Sequence, residues 1–309
     1  MTPYSAGQSA DVLMPYDDSA IQLRDWLCQA CIVEVLSQKP GNVSPGRAMH
    51  NATVRDFVRS AQVSAPILEN ASRNGIGRTV CAAVTATHNA VGHNTNLGIL
   101  LLLAPMAAVP SRVSLTNGIR TVLAELSVQD ADWAYRAIRL AEPGGLGRAE
   151  TQDVRNTPTE TLLQCMTHAA DRDLIAQQYT NDFHDVLNVG LDWLIDSSSR
   201  ADEQYRIGWL ALQLISNYGD SLIARKVGQA VSDHVKKRAA DVLAAGWPRN
   251  SKAISLYADF DAYLRSDGNR LNPGSTADMI AAIIFAGLRT GRYAADTALL
   301  QQIKSQEPS

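Results

Sequence analysis

Four short polar interruptions hold most of the residue types in this chain that could do chemistry. The first is Lys39-Pro40-Gly41-Asn42-Val43-Ser44-Pro45-Gly46. Its prolines stiffen the backbone, while its glycines allow a ligand to come close. Lys39 offers a cation and Asn42 an amide, and Glu34 precedes them in an otherwise apolar stretch. An acid placed there either faces solvent or points into a site. The second is Gly92-His93-Asn94-Thr95-Asn96-Leu97-Gly98, directly ahead of the most apolar run. Asn94 or Thr95 can cap the helix that follows, and the free N–H groups at such an end suit a phosphate.

The third interruption runs from Tyr218 to Gly228 and contains Asp220, Arg225 and Lys226. On a helix Ser221, Arg225 and Gly228 share a face, and a guanidinium can grip phosphate with two N–H groups. The fourth is Asn272-Pro273-Gly274-Ser275-Thr276-Ala277-Asp278. There Asp278 is expected in the first turn of a helix, where the dipole favours a carboxylate. Mg²⁺ prefers one or two carboxylates plus phosphate oxygens, which makes Asp278 a metal candidate. Each segment alone has a plainer reading as a loop, a cap or a solvated charge pair.

Other reactive residue types carry less. Cys28 and Cys31 form C-x-x-C, but no second pair follows at zinc spacing, and both fall on one apolar helical face. His88, His93, His168, His184 and His234 include no i, i+4 pair followed by Glu, so a zincin-type site is absent. His93 stands out only because it lies in the second polar turn.

The elements that must position these residues are helices almost throughout. Apolar residues recur at helical spacing over 18–38, 52–73, 76–91, 97–108, 117–126, 128–141, 158–171 and 173–195. The pattern continues over 203–216, 220–244, 251–266, 276–290 and 293–304. Thr157-Pro158-Thr159-Glu160 and Ser275-Thr276-Ala277-Asp278 read as helix starts. Period-2 runs of β-branched and aromatic residues are few, and no Asn-Gly hairpin signal lies between such runs. The expectation is an all-α fold, a single bundle-like domain of about 12 helices over 19–305 behind a loose arm at 1–18. The segment 142–157, rich in glycine and proline, is the best linker candidate, although its Gly144-Gly145-Leu146-Gly147-Arg148 run could be functional.

Composition narrows the function classes. The chain has 309 residues, 46% of them apolar, with 28 Lys+Arg against 31 Asp+Glu. Duplex binding would need a basic excess, so no nucleic-acid partner is expected. The apolar run from Leu97 to Val109 contains Pro105 and falls short of the ~20 residues that a spanning helix needs. Neither a signal peptide nor a disulfide framework is apparent, so the cytoplasm is the expected location.

In their order along the chain, the four segments resemble the triphosphoribosyl-dephospho-CoA synthase family. Its members prepare the prosthetic-group precursor of citrate lyase and malonate decarboxylase. The matching pieces are Lys39-Pro40-Gly41-Asn42-Val43, Gly92-x-Asn94-Thr95-x-x-Gly98, Asp220-Ser221-x-Ile223-Ala224-Arg225-Lys226 and Asn272 to Asp278. The resemblance runs from about residue 25 to 290. It implies an all-α fold and a reaction in which a hydroxyl of dephospho-CoA attacks the ribose C1 of ATP. Adenine leaves, and a 5-triphosphoribosyl group remains on the acceptor.

The match also has departures. Citrate-lyase-type members carry an acid where this chain reads Met49-His50-Asn51, and Asn51 cannot supply a charged metal ligand. Their polar turn reads Asn-Thr-His-Lys-Gly, whereas here it is Asn94-Thr95-Asn96-Leu97-Gly98. The Gly144 to Val154 and Ala170 to Tyr179 stretches look like a branch from one-carbon-metabolising bacteria, associated with tetrahydromethanopterin- or methylofuran-type cofactor synthesis. The acceptor therefore need not be dephospho-CoA.

Beside the resemblance, the reaction itself assigns roles. Loss of adenine passes through an oxocarbenium-like transition state that carboxylates or carbonyl dipoles stabilise. Asp220 and Asp278 are expected to do that, or to hold Mg²⁺ brought with ATP. Lys39, Arg225 and Lys226 are expected at phosphate. His93, the Asn94, Thr95 and Asn96 turn, Asn42, Asn272, Gly274, Ser275 and Thr276 complete the expected substrate-binding set. Glu34 is the expected general base for the acceptor hydroxyl, since a partly buried Glu can have a raised pKa. The alternatives are a Mg-dependent N-ribosyl hydrolase, with water in place of the acceptor, and a non-catalytic nucleotide-binding protein. The partners implied are ATP and a small hydroxyl acceptor, with no membrane, and a homodimer is compatible with a large helical enzyme.

Overall fold

The structure is a computed structural model that describes residues 18–49, 52–268 and 270–296. The expected N-terminal arm, the His50-Asn51 pair and positions 297–304 of the expected last helix lie outside the described residues. In chain order the helices are α1 (Asp18–Leu36), α2 (Val54–Leu68), α3 (Ala71–Asn74), α4 (Ile76–Val91) and α5 (Leu97–Ala108). Then come α6 (Leu115–Ala124), α7 (Val128–Ala141), α8 (Leu162–Thr167), α9 (Leu174–Thr180) and α10 (Leu191–Arg200). The last are α11 (Arg206–Tyr218), α12 (Ser221–Val227), α13 (Gln229–Ala244), α14 (Ser251–Arg265) and α15 (Gly274–Arg289). No strand occurs among the described residues, so the fold is all-α.

The helices outnumber the expected dozen because several long patterned stretches are broken. Gly228, at φ +97°, ends α12 and starts α13 where one helix was expected over 220–244. The stretch 173–195 breaks after α9 and resumes through a π-helical turn at Asp185–Gly190. Thr157-Pro158 starts no helix; the capping box is Thr161 with Gln164, and α8 begins at Leu162. Residues 293–296 are not helical. In each case apolar spacing persists across a break, because a turn can keep burying the same face.

The centre of the molecule is α5. Its residues are almost all buried, and it packs against α15, α4, α3, α6, α2 and α9. A helix apolar on every side must be enclosed by others. Pro105 has no N–H, which leaves the Leu101 carbonyl without its helical donor. The buried Tyr179 hydroxyl donates to that carbonyl at 2.7 Å. At the other end, the Arg289 guanidinium donates to the carbonyls of Met106 (2.8 Å) and Val109 (2.6 Å). Both the break and the C-terminus of the central helix are therefore satisfied by side chains distant in sequence. A second apolar cluster, around Trp209, Trp247, Phe260 and Leu264, joins α11, α13 and α14, and Trp193 packs against both clusters.

Candidate active site

A cavity of about 620 Å³ opens beside the N-terminus of α5. Its wall brings together Glu34, Asn42, His93, Asn94, Thr95, Asn96, Arg225, Lys226, Asn272, Gly274, Ser275 and Asp278. Residues more than two hundred positions apart thus meet at one surface. Lys39, Asp220 and Thr276, expected at the same site, are not part of that wall.

Lys39 sits behind it. Its ammonium donates to the carbonyls of Glu34, Ser37 (3.0 Å) and Val43 (3.2 Å) and pairs with the Glu34 carboxylate at 3.1 Å. A cation at a helix C-terminus satisfies orphan carbonyls and complements the dipole. At 3% exposure, Lys39 holds the end of α1 and the charge of Glu34 and has no proton left for a phosphate. Burial pushes the Glu34 carboxyl up and the Lys39 ammonium down, and their pairing opposes both shifts.

Asp220 also takes a different place from the expected one. Its Oδ1 accepts from the N–H groups of Leu222 (3.0 Å) and Ile223 (3.1 Å), capping α12. Its Oδ2 accepts from the N–H and the hydroxyl of Thr276, both at 2.8 Å, at the start of α15. One carboxylate therefore ties two helix N-termini together, and four donors fill the acceptor positions a carboxylate has. Ser221 adds to this junction through its hydroxyl, 2.8 Å from that of Ser275.

Asp278 is a carboxylate of the wall that stays without a partner among the described residues. Helix α15 starts at Gly274, earlier than the capping pattern at Ser275 implied, so Asp278 falls beyond the first turn and points across at α5. A Cβ on Gly98 would stand 2.0 Å from the Asp278 Oδ2, so only glycine leaves room for it. Among the described residues nothing hydrogen-bonds or pairs with this carboxylate. Burial raises its pKa well above the ordinary carboxylate range, and the carboxylates of Glu34, Asp220 and Asp173 add to the rise.

The rest of the polar wall is donor-rich. The Asn94 Oδ1 caps α5 by accepting from the N–H groups of Asn96 (3.2 Å) and Leu97 (3.1 Å). The Thr95 hydroxyl is 2.6 Å from that of Ser60 on α2. The Asn96 Nδ2, the His93 Nε2 and the Arg225 Nε are buried with no partner. Unpaired buried donors in a cavity wall are costly unless a ligand completes them. Arg225 also pairs with Asp173, while Lys226 donates to the Asn272 Oδ1 at 2.8 Å. The Asn42 side chain accepts from Val43 and donates to the Pro273 carbonyl, joining the first and fourth segments.

Several lining residues escaped the sequence reading. Asp173 caps α9 and holds Arg225, and its signal was an acid directly ahead of an apolar helical run. The segment 142–157, the linker candidate whose Gly144 to Arg148 run could be functional, supplies residues 142–144, 146, 147, 149 and 151–154 of the wall, beside Tyr135, His168 and Arg172. Glycine and proline mark a loop equally well whether it connects elements or lines a site.

In this all-α fold one open cavity thus carries an unpartnered carboxylate, unpaired donors and two cations, the groups that a polyanionic ligand would need. Comparison with known proteins gives the family. Residues 20–296 match the family CitG, ATP:dephospho-CoA triphosphoribosyl transferase, and the chain belongs to this family of transferases. The fold is similar to the crystal structure of a protein from Archaeoglobus fulgidus described as a triphosphoribosyl-dephospho-CoA synthase. That similarity has a TM-score of 0.62 at 23% identity and covers 77% of this chain and 98% of the other. No curated protein matches the chain.

Proposed function

We propose that the protein transfers a 5-triphosphoribosyl group from ATP to a hydroxyl of a cofactor precursor of the dephospho-CoA type and releases adenine. The observation that carries this reading, beside family membership, is the unpartnered Asp278 carboxylate in a wall of unpaired donors. As the C1′–N9 bond of ATP lengthens, positive charge develops on the ribose, and a carboxylate fixed beside it stabilises that charge. The acceptor hydroxyl then bonds to C1′. Its proton passes to Glu34, whose carboxylate is held in the wall by Lys39, and the bonding pair of the broken bond leaves on adenine. Arg225, Lys226 and the donors at the start of α5 hold the triphosphate.

Mg²⁺ fits as an ion brought by the triphosphate. Among the described residues no group of three or more His, Cys, Asp or Glu side chains forms a resident metal site. One free carboxylate plus phosphate oxygens meets the needs of Mg²⁺, and Asp278 is that carboxylate. The bound ion would neutralise phosphate charge. Asp220, with its oxygens engaged, positions α12 and α15 instead.

The test is mass spectrometry of purified protein with Mg-ATP, with and without dephospho-CoA. Adenine and a triphosphoribosyl adduct are expected, both reduced about 100-fold or more in Asp278→Ala. Adenine formed equally well without acceptor would make the protein a hydrolase. ATP binding with no adenine, and with pterin or furan precursors equally inert, would make it a nucleotide-binding protein. No helix of the described residues is long and apolar enough to cross a membrane, which accords with a reaction between two dissolved substrates.

A further inference from the structure

A second cavity, of about 410 Å³, lies between α10, α11 and the turn that joins α13 to α14. It shares no lining residue with the candidate active site. Aromatic residues make up only 6% of the sequence, yet three of the chain's five tryptophans, Trp193, Trp209 and Trp247, meet in this wall. Trp209 and Trp247 are 7% and 6% exposed, and neither indole N–H has an acceptor among the described residues. The side-chain amide of Gln213, four residues along α11 from Trp209, is likewise without a partner there. Buried indole N–H groups normally find an acceptor, and leaving them open is costly unless a ligand or water completes them. The Trp247 ring is already fixed, stacked on Tyr257 with 4.5 Å between centroids and 15° between planes. Charge in the wall is unequal. The Arg200 Nε donates to Asp196 at 3.1 Å, and Arg249 donates to the Ser199 carbonyl at 2.6 Å. A guanidinium has five N–H donors, so both arginines keep several open. Two cations against one carboxylate leave one positive charge in the wall.

We propose that this cavity is a separate ligand site, and that it takes a small aromatic carboxylate with a single negative charge. The ring packs among the three indoles, and the carboxylate answers the open N–H donors and the surplus guanidinium charge. A neutral aromatic ligand would leave that charge unanswered, and an aliphatic acid would forgo the contact with the indole rings. The volume is that of an ordinary small-molecule pocket, which such an acid fits. The site goes beyond the transferase reading and stands apart from it, since it uses none of the residues assigned to ATP or the acceptor.

The probe is 2-naphthoate, titrated calorimetrically into the full chain with and without saturating Mg-ATP. Two controls divide its chemistry: 2-naphthamide keeps the rings without the charge, and cyclohexanecarboxylate keeps the charge without the aromatic ring. Naphthoate should bind with an affinity that Mg-ATP changes by less than about threefold, and both controls should bind about tenfold or more weakly. Arg249 is exposed, so Arg249→Gln should fold normally. It should weaken naphthoate about tenfold and leave naphthamide within about threefold, because only a charge contact is lost. Trp209→Phe, which keeps a ring but removes a donor, should weaken naphthoate about threefold or more, with circular dichroism checking its fold. No binding, naphthamide as tight as naphthoate, displacement by Mg-ATP, or an affinity unchanged in both variants would each overturn the site. A protein that binds naphthoate in this way yet releases no adenine from ATP would refute the transferase reading and uphold this one.

Discussion

The division of labour among the acidic residues is decided by what each already touches. Glu34 has Lys39, Asp220 has four donors, Asp173 has Arg225 and two backbone N–H groups, and Asp278 has no partner among the described residues. Breaking a buried pair leaves an uncompensated charge, which typically costs about 3–5 kcal/mol. Lys39→Met should destabilise the protein by about that amount, measured by urea unfolding. Adding Glu34→Gln should recover much of the loss, because no charge then remains buried and unpaired. A single variant as stable as the wild type would mean that Glu34 finds another partner.

At the scale of elements, the site is a junction of helix starts. Asp220 fastens α12 to α15, Asp173 links α9 to α12 through Arg225, and Gly98 lets α15 bring Asp278 against α5. The place of the Asp278 carboxylate against α5 therefore depends on one missing methyl group. Gly98→Ala should move Asp278 out of place and lower kcat about 10-fold or more, with ATP affinity changed far less. Gly77→Ala is the control for close packing alone. Its Cβ would stand 2.1 Å from the Asp130 carbonyl where α4 meets α7, and neither residue lines the cavity. That variant should lose about 1–3 kcal/mol of stability. If both variants changed only stability, the placement of Asp278 by Gly98 would carry no catalytic weight.

Across the whole molecule, raised carboxyl pKa values set the response to pH. Asp278 binds its proton more tightly in the folded state than in the unfolded chain. Its contribution to stability is fully present below the unfolded value, about 4, and is lost as pH rises through the folded value. Asp278→Asn removes that loss. The variant should therefore melt higher than the wild type at pH 7 to 8, and the two should converge near pH 4, as read by thermal unfolding across that range. Saturating Mg-ATP should narrow the difference at neutral pH by stabilising the wild-type carboxylate. A constant gap at every pH would assign the effect to packing.

The sequence alone established the helical class, the position of most helices and the four segments that meet at the site. Those features depend on short-range physics: apolar spacing, caps and the backbone freedom of Gly and Pro. It also offered Asn94 or Thr95 as the cap of α5, of which Asn94 accepts from the first N–H groups, but it put Asp278 in the first turn of α15, one turn too early. Only the tertiary structure showed that Lys39 and Asp220 stand behind the wall, that Asp278 has no hydrogen-bonding partner among the described residues, and that the 142–157 segment, whose Gly144 to Arg148 run could be functional, supplies part of the lining. The reason is that a polar residue's role follows from which of its hydrogen-bonding positions remain open. The groups that fill them, Thr276 for Asp220 and Gly98 making room for Asp278, lie far away along the chain.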